Sequence, residues 1–140
     1  MELSQITRYK LTNGYLLPYF EGRIPAGFPS PAEDFADIAL DLNKYLITSP
    51  VSTFFMRVGS EVMTGAGIEK GDLLIVDRLT VPRDGSVIIA SLTGELVVRR
   101  LRKVQERMYL ETSGPSQNEI HHHDEDFAIW GVVVWVIHRV

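Results

Sequence analysis

From residue 53 onward, apolar and polar residues alternate in short runs with the period of two that half-buried β-strands show. Turn residues separate these runs, most clearly Pro82-Arg83-Asp84-Gly85 and the hairpin pair Thr93-Gly94. A glycine inside the last run, Gly131, predicts a bend or bulge there. Short strands at this spacing predict a mostly β, hairpin-rich domain with a bent or partly closed sheet. The predicted strands are 53–58, 72–77, 86–92, 96–102, 107–111 and 127–138.

The N-terminal part of the chain has a different pattern. Its first thirty residues mix prolines and glycines with aromatic and aliphatic residues. The prolines and glycines exclude a long helix, and the segment is too apolar for a solvated tail. We therefore predict an extended arm over residues 1–30 that lies on its own domain or on a partner, followed by a β-rich domain over residues 31–140. Ser30 with Glu33 forms a capping box that begins a short helix, and Asp41 begins a second one that ends at Leu46.

Composition narrows the function. With 140 residues, 45% of them hydrophobic, the chain is long enough for one domain with its own core. Fourteen basic residues against eighteen acidic ones give a net charge of −4, which argues against a protein that coats DNA. Cysteine is absent, so disulfides, thiol nucleophiles and cysteine-containing zinc sites are excluded, and we expect no cofactor.

No leader or membrane signal stands out. The most apolar run, Phe127 to Ile137, has about half the length that a membrane-spanning helix needs. The N-terminus has an early acidic residue and no apolar core of a leader. The sequence therefore predicts a cytoplasmic protein with no membrane contact.

Six stretches follow one another along nearly the whole chain: Ala26–Ala32, Asp41–Asn43, Met63 with Gly65 and Gly67, Gly71–Asp77, Gly94–Leu101 and Phe127–Val133. Together they resemble the UmuD proteins, the small members of the LexA family of self-cleaving SOS proteins. The resemblance implies a LexA/UmuD-type peptidase domain that forms a homodimer. It also implies that a RecA–single-stranded DNA filament stimulates the protein to cleave its own N-terminal arm. The shortened dimer of that family then joins an error-prone DNA polymerase catalytic subunit in translesion synthesis after DNA damage.

The family cleaves with a Ser–Lys dyad, and both dyad positions are substituted here. The family stretch S-G-D-S-M aligns without a gap to Gly59-Ser60-Glu61-Val62-Met63, which places Val62 at the nucleophile position. The lysine position falls on Arg99. A valine has no atom that can attack a carbonyl, and an arginine stays protonated, so it cannot act as a general base. We therefore predict that the chain cannot cleave its own arm.

The substrate half of the reaction is still present. Ala26-Gly27 matches the scissile bond of the family and lies in an extended run between prolines. An intact cleavage sequence beside a missing catalyst predicts that the arm is cut in trans by an active partner, or that the uncut chain acts as a regulator.

Two alternatives stay open at this point. The chain could be an active self-cleaving peptidase that uses Ser60, or an engineered inactive form of one. In an extended segment Ser60 and Val62 share a face but lie roughly 6–7 Å apart, beyond the roughly 3 Å reach that nucleophile and base require. For Arg99 we predict an ion pair with Glu61, and the alternative is an alkyl stem that carries the guanidinium to solvent.

Two stretches rich in histidine or charged residues are candidate binding sites. Adjacent histidines on a strand point to opposite faces, so the run His121-His122-His123, followed by three acidic residues, predicts a solvated loop and no metal site. The basic residues of the fourth and fifth predicted strands favour contact with protein over contact with DNA, because no element that reads bases accompanies them. A sequence-specific repressor is therefore excluded. These basic residues are Arg99, Arg100, Arg102, Lys103 and Arg107.

The last strand carries both tryptophans of the chain. Strict alternation places Trp130 on the same side as Val132 and Val134, and Trp135 on the other. Both sides of this strand would then be covered, which favours a homodimer through it.

Overall fold

The computed structural model describes residues 3–8, 14–19, 39–113, 122–123 and 127–140, of which 3–8 and 122–123 are described by their backbone. The Ala26–Gly27 bond, the helix predicted from Ser30, the boundary after residue 30 and His121 with its following acidic residues lie outside these ranges. The chain divides into two compact units, one of residues 1–10 with 49–140 and one of residues 11–48.

The described residues are mostly β, as the pattern of the sequence predicted. Eight strands of the larger unit form one antiparallel sheet in the order β1-β4-β5-β10-β6-β7-β8-β9 once the strands are numbered along the chain. The strands are β1 Leu3–Arg8, β2 Leu16–Pro18, β3 Ala39–Asp41, β4 Thr53–Val58, β5 Leu73–Asp77, β6 Val87–Leu92, β7 Glu95–Val104, β8 Arg107–Glu111, β9 His122–His123 and β10 Phe127–Ile137. The bounds of β4 to β8 and of β10 agree closely with the predicted strands, whereas β1, β2, β3 and β9 were not predicted. His122 and His123, expected in a solvated loop, form β9 and pair with β8.

Tight turns join the strands of the central meander. Thr93 and Gly94 have φ values of 49° and 84°, the left-handed conformation that a two-residue hairpin turn requires. They join β6 to β7 with Leu92 opposite Glu95. Gly85, at φ 85°, ends the predicted turn before β6, and its N–H donates to the Leu101 carbonyl at 2.7 Å. Both turns predicted from the sequence are therefore present.

The sheet buries apolar side chains on both faces, because alternate residues of β6 and β7 enter two different clusters. Ile89 and Val98 belong to the first cluster, whereas Ile88 and Val97 belong to the second. The buried members of the first cluster are Met56, Val58, Met63, Ile68, Leu74, Val76, Ile89 and Val98. Those of the second are Ile88, Ala90, Val97, Leu101, Leu110 and Val132.

Strand β10 is bulged at two places, and the first bulge corrects the predicted orientation of Trp130. The register with β6 shifts between Ile129 and Gly131, which confirms the irregularity predicted at Gly131. Trp130 packs against the first cluster and Val132 lies in the second. The prediction that these two residues share a side is wrong, because the extra residue of a bulge inverts the alternation beyond it.

The smaller unit contains a two-stranded sheet and a short helix. β2 pairs with β3, with Leu16 opposite Asp41 and Pro18 opposite Ala39. Helix α1 spans Leu42–Leu46, and its N-cap Asp41 accepts a hydrogen bond from the Asn43 N–H at 3.0 Å. The short helix predicted to begin at Asp41 is confirmed. β2 and β3 also bring together the two described ends of the segment that contains Ala26 and Gly27.

Strand β1 lies at one edge of the large sheet. It pairs antiparallel with β4, with Ile6 opposite Met56 and a register shift between Leu3 and Ile6. The first residues of the predicted arm thus lie on the chain's own domain.

Candidate functional site

The loop after β4 carries Val62, the residue that the sequence analysis expects at the nucleophile position, and buried side chains anchor this loop at both ends. Met63 and Ile68 are 0% and 1% exposed and belong to the first cluster. Between them a single 3₁₀ turn spans Thr64–Ala66, and the Ala66 and Ile68 N–H groups both donate to the Met63 carbonyl, at 3.0 and 3.2 Å. The conformation of the loop therefore depends on packing as well as on its own hydrogen bonds.

Backbone hydrogen bonds tie the same loop to the residues that follow β8. The Ser113 N–H donates to the Val62 carbonyl at 2.8 Å, and the Gly65 N–H donates to the Ser113 carbonyl at 2.5 Å. A Cβ at residue 65 would collide with the Ser113 hydroxyl and lie 3.0 Å from the Ser113 carbonyl oxygen, so a larger residue would force this contact to shift. The backbone at Val62 is therefore held at the end of β8.

The side chains of this loop offer no activated nucleophile within the described residues. Val62 is half-buried and packs against the first cluster. The Ser60 hydroxyl is buried and has no hydrogen-bond partner among the described residues, so the structure provides no base for it there. Glu61, between them, is exposed to solvent.

Arg99 lies on β7 in a mostly apolar environment. It is 8% exposed and pairs across the sheet with the fully buried Ile88. Val97 and Leu101, two residues away on either side along the strand, both lie in the second cluster, as the predicted alternation requires. Burial lowers the pKa of Arg99 from its ordinary value, because a charged guanidinium is less favourable away from water.

The predicted ion pair between Glu61 and Arg99 is not formed in the described structure. The Arg99 Nη1 donates to the Val98 carbonyl at 2.8 Å, and the Arg99 Nε has no hydrogen-bond partner among the described residues. The prediction is wrong because Met63 turns into the core, while Glu61, two residues earlier on the loop, stays exposed. The snorkelling alternative also fails, since Arg99 is one of the buried charged residues.

The loop that carries Val62 and the β7 residue Arg99 both lie beside the residues that follow β8. Arg100 pairs with Glu111 across β7 and β8, so the next step of the same register sets Thr112 beside Arg99. Thr112 is 6% exposed, and the residue after it, Ser113, holds the Val62 carbonyl. Val62 and Arg99 are therefore linked by two adjacent residues of the chain, Thr112 and Ser113.

The other basic residues of β7 hold the turn before β6. The Arg100 Nη1 donates to the Gly85 carbonyl at 2.7 Å, and the Lys103 Nζ donates to the Pro82 carbonyl at 3.2 Å. Arg102 forms an ion pair of 2.7 Å with Glu111 of β8. These contacts give three of the five basic residues a structural role.

Sequence reasoning missed a charged contact beside β10. The His138 Nδ1 lies 2.7 Å from the Oδ1 of Asp72, whose side chain is 2% exposed, and the other Asp72 oxygen accepts from the Glu69 N–H at 2.8 Å. The hydrogen bond and the charge of Asp72 raise the pKa of His138 above its usual value. No local pattern indicates this contact, because its partners lie 66 residues apart.

The side chains that the structure describes do not cluster as metal ligands. No group of three or more histidine, aspartate or glutamate residues that could hold an ion occurs there. The same part of the chain has no helix of the length and apolar character that crossing a membrane demands.

Comparison with known proteins identifies the family. A family model described as Peptidase S24-like matches residues 18–134. Protein ImpA of Escherichia coli is 45% identical over 127 residues, which cover 91% of this chain and 87% of ImpA. Protein SamA of Salmonella typhimurium strain LT2 is 40% identical over 122 residues, covering 87% and 85% of the two chains. Protein MucA of Escherichia coli is 36% identical over 119 residues, covering 84% and 81%. The chain therefore belongs to the Peptidase S24-like family, as a UmuD-like member of its LexA/UmuD group.

Proposed function

We propose that this chain is a UmuD-like subunit of error-prone translesion DNA synthesis in the SOS response, and that it cannot cleave its own arm. The proposal rests on Val62 and Arg99, which the sequence analysis aligns with the two dyad positions, in a chain whose residues 18–134 match the family model. Acting in the cytoplasm, the chain would work through binding a polymerase catalytic subunit and the RecA–single-stranded DNA filament, without reading DNA sequence.

The chemical argument for inactivity rests on two independent losses. Acyl transfer from a serine requires a hydroxyl and a base that can accept its proton. Val62 supplies no hydroxyl, and the Arg99 guanidinium keeps its proton throughout the pH range in which proteins stay folded. The buried Ser60 hydroxyl, without a hydrogen-bond partner in the described part, lacks the base that the alternative of an active peptidase needs.

The arm gives such a subunit a regulatory state. Ala26-Gly27 keeps the cleavage sequence of the family, so an active relative could cut the chain in trans, and without that relative the arm stays attached.

Strand β10 supports the homodimer in this proposal. Its second half pairs with β5, whereas the pairing with β6 ends at Val132. Four residues beyond that point, Val134 to Ile137, are each 37–40% exposed although all are apolar. In the part of the chain that the structure describes, no strand continues the β6 pairing beyond Val132, and an exposed apolar stretch of this kind is suited to packing against a second copy.

The test compares the purified chain with the chain in the presence of an active relative. Incubation alone at alkaline pH, or with activated RecA filament, should leave the intact mass unchanged. A product that begins at Gly27 in either incubation would overturn the proposed inactivity. Co-expression with an active relative should produce that shortened chain, and if it does not, the trans-cleavage part of the proposal fails.

A further inference from the structure

Three aliphatic side chains are strongly exposed on two neighbouring segments of the larger unit. Val51, Leu79 and Val81 are 72%, 72% and 73% exposed. Val51 lies in the 3₁₀ turn before β4, and the other two lie on the loop 78–86 between β5 and β6. The Arg78 N–H donates to the Ser52 carbonyl at 2.9 Å, which sets the two segments side by side. These three aliphatic residues form what we call the aliphatic patch.

One carboxylate fixes the first part of the loop that carries the patch. Asp77, at the end of β5, accepts from the Ser52 hydroxyl at 2.6 Å and from the Leu79 N–H at 3.0 Å. It also accepts from the Thr80 hydroxyl at 2.8 Å. The backbone around Leu79 is therefore held by the ends of the strands, while the Leu79 side chain lies in solvent.

Strand β7 fixes the second part of the same loop. The Lys103 Nζ donates to the Pro82 carbonyl at 3.2 Å, and the Lys103 N–H donates to the Asp84 carboxylate at 2.8 Å. A loop held at both ends loses little conformational freedom when a partner binds, so burial of its aliphatic side chains contributes to affinity with little ordering cost. Exposed apolar side chains grouped in this way are typical of an interaction site.

Cations lie on the loop beside the patch. Arg83 and Lys103 are both exposed. Arg78, also exposed, is fixed over Trp130, because its guanidinium lies 4.4 Å from the centre of the ring and its Nε donates to the Trp130 carbonyl at 3.0 Å. The two carboxylates of this region already accept the hydrogen bonds given above. The surroundings of the patch are therefore basic, although the chain has a net charge of −4.

We propose that the aliphatic patch binds a segment of another protein that carries both apolar and acidic side chains. The apolar side chains would cover the patch, and the carboxylates would pair with Arg83 and Lys103. A symmetric contact between two copies of the patch is disfavoured, because it would bring like charges together. A nucleic acid fits less well, since phosphates pair with the cations but leave the aliphatic side chains in water. This surface does not involve Val62, Arg99 or the arm, so its test is independent of the proposed function.

The experiment uses the full chain and a short synthetic peptide in which leucine and glutamate alternate. One control peptide has lysine in place of every glutamate, and another has serine in place of every leucine. Calorimetric titration should show the first peptide binding about tenfold or more tightly than either control, because only that peptide offers both kinds of contact. In nuclear magnetic resonance spectra, the amide signals of residues 78–83 should shift when this peptide binds.

Substitutions separate the two kinds of contact. The double variant Leu79→Ser/Val81→Ser should weaken binding about tenfold or more. Leu42→Ser, at a residue of α1 that is 55% exposed, is the matched control and should not change the affinity. Arg83→Glu should weaken binding of the acidic peptide and strengthen binding of the lysine peptide. Lys70→Glu makes the same charge change at an exposed residue before β5, whereas the patch lies beyond its other end, and should have no effect.

Melting temperatures keep this comparison valid, and the remaining outcomes are decisive. All the substituted residues are exposed, so the variants should melt close to the parent. Equal binding of the three peptides, or unchanged affinity in the double variant and in Arg83→Glu, would overturn the proposal. Shifts confined to β10, which is also apolar and exposed beyond residue 133, would overturn it as well. Loss of self-association in the double variant, measured by sedimentation, would assign the patch to a second copy and refute an acidic partner.

Discussion

Replacing Met63 with alanine tests whether packing holds the loop that carries residue 62. Met63 is 0% exposed and lies in the first cluster, and its carbonyl accepts from the N–H groups of Ala66 and Ile68. Replacing a buried methionine by alanine costs about 2–5 kcal/mol, and the cost falls when the surroundings can collapse into the space. Because Met63 belongs to a loop and not to a strand, we expect about 2–3 kcal/mol.

Urea unfolding measures this loss of stability. With an m value of about 2 kcal/mol per molar, the midpoint should fall by about 1–1.5 M. Leu79→Ala is the matched control, because Leu79 is 72% exposed and its truncation should change stability by less than about 0.5 kcal/mol. In the Met63 variant the amide of Gly65, bonded to the Ser113 carbonyl, should also exchange faster with solvent.

A result near the control would refute the reasoning. If Met63→Ala costs less than about 1 kcal/mol, burial of Met63 does not fix the loop. If the full cost appears but the exchange of the Gly65 amide is unchanged, Met63 stabilises the sheet without positioning the loop.

Three further changes test other contacts. The double variant Val62→Ser/Arg99→Lys should cleave its arm, seen as a fall in intact mass, and each single variant should stay inactive. The serine needs a base, and a buried lysine, unlike arginine, can lose its proton. An inactive double variant would mean that the geometry of the site is lost as well. His138→Gln should lower the melting temperature below pH 6.5 and have little effect well above it. The hydrogen bond to Asp72 raises the pKa of His138, so its stabilisation is fully present below the unfolded value of 6.5 and disappears as pH rises through the folded pKa; an equal effect at both pH values would contradict this. Gly131→Ala should cost about 1–3 kcal/mol in urea unfolding, since the added Cβ would lie 2.8 Å from a core side chain of β5, and a neutral result would show that the bulge adjusts.

The strands after residue 50 could be predicted because their signals are local. β4 and β8 have the predicted bounds, since each is a short run of β-branched, aromatic and aliphatic residues set off by its flanking turns. β2 and β3 have three residues each, too few to show a period, and they pair across a segment of twenty residues. Such strands exist through their partners, so the sequence around them gave no signal.

The details of the site were harder to predict than its location. The orientation of Trp130 was missed because one extra residue in β10 inverts every side chain after it, and hydrophobic alternation alone does not reveal a bulge. The sequence predicted Glu61 as the partner of Arg99 because Glu61 is next to Val62 in the chain. The loop instead directs Met63 into the core, and this choice depends on the volume available beneath it.

The packing of this loop does not depend on any catalytic group. The contacts that fix the loop come from Met63, Ile68 and Gly65, through two buried side chains and one close backbone approach to Ser113. None of these groups takes part in proton transfer or attacks a carbonyl. A valine at residue 62 adds apolar contact with the first cluster, so this side chain is compatible with the packing of the loop. Arg99 is the opposite case, because a buried cation without a described counter-charge imposes a cost on folding. Val62 is therefore accommodated by apolar packing, whereas the guanidinium of Arg99 has the Val98 carbonyl as its one described acceptor.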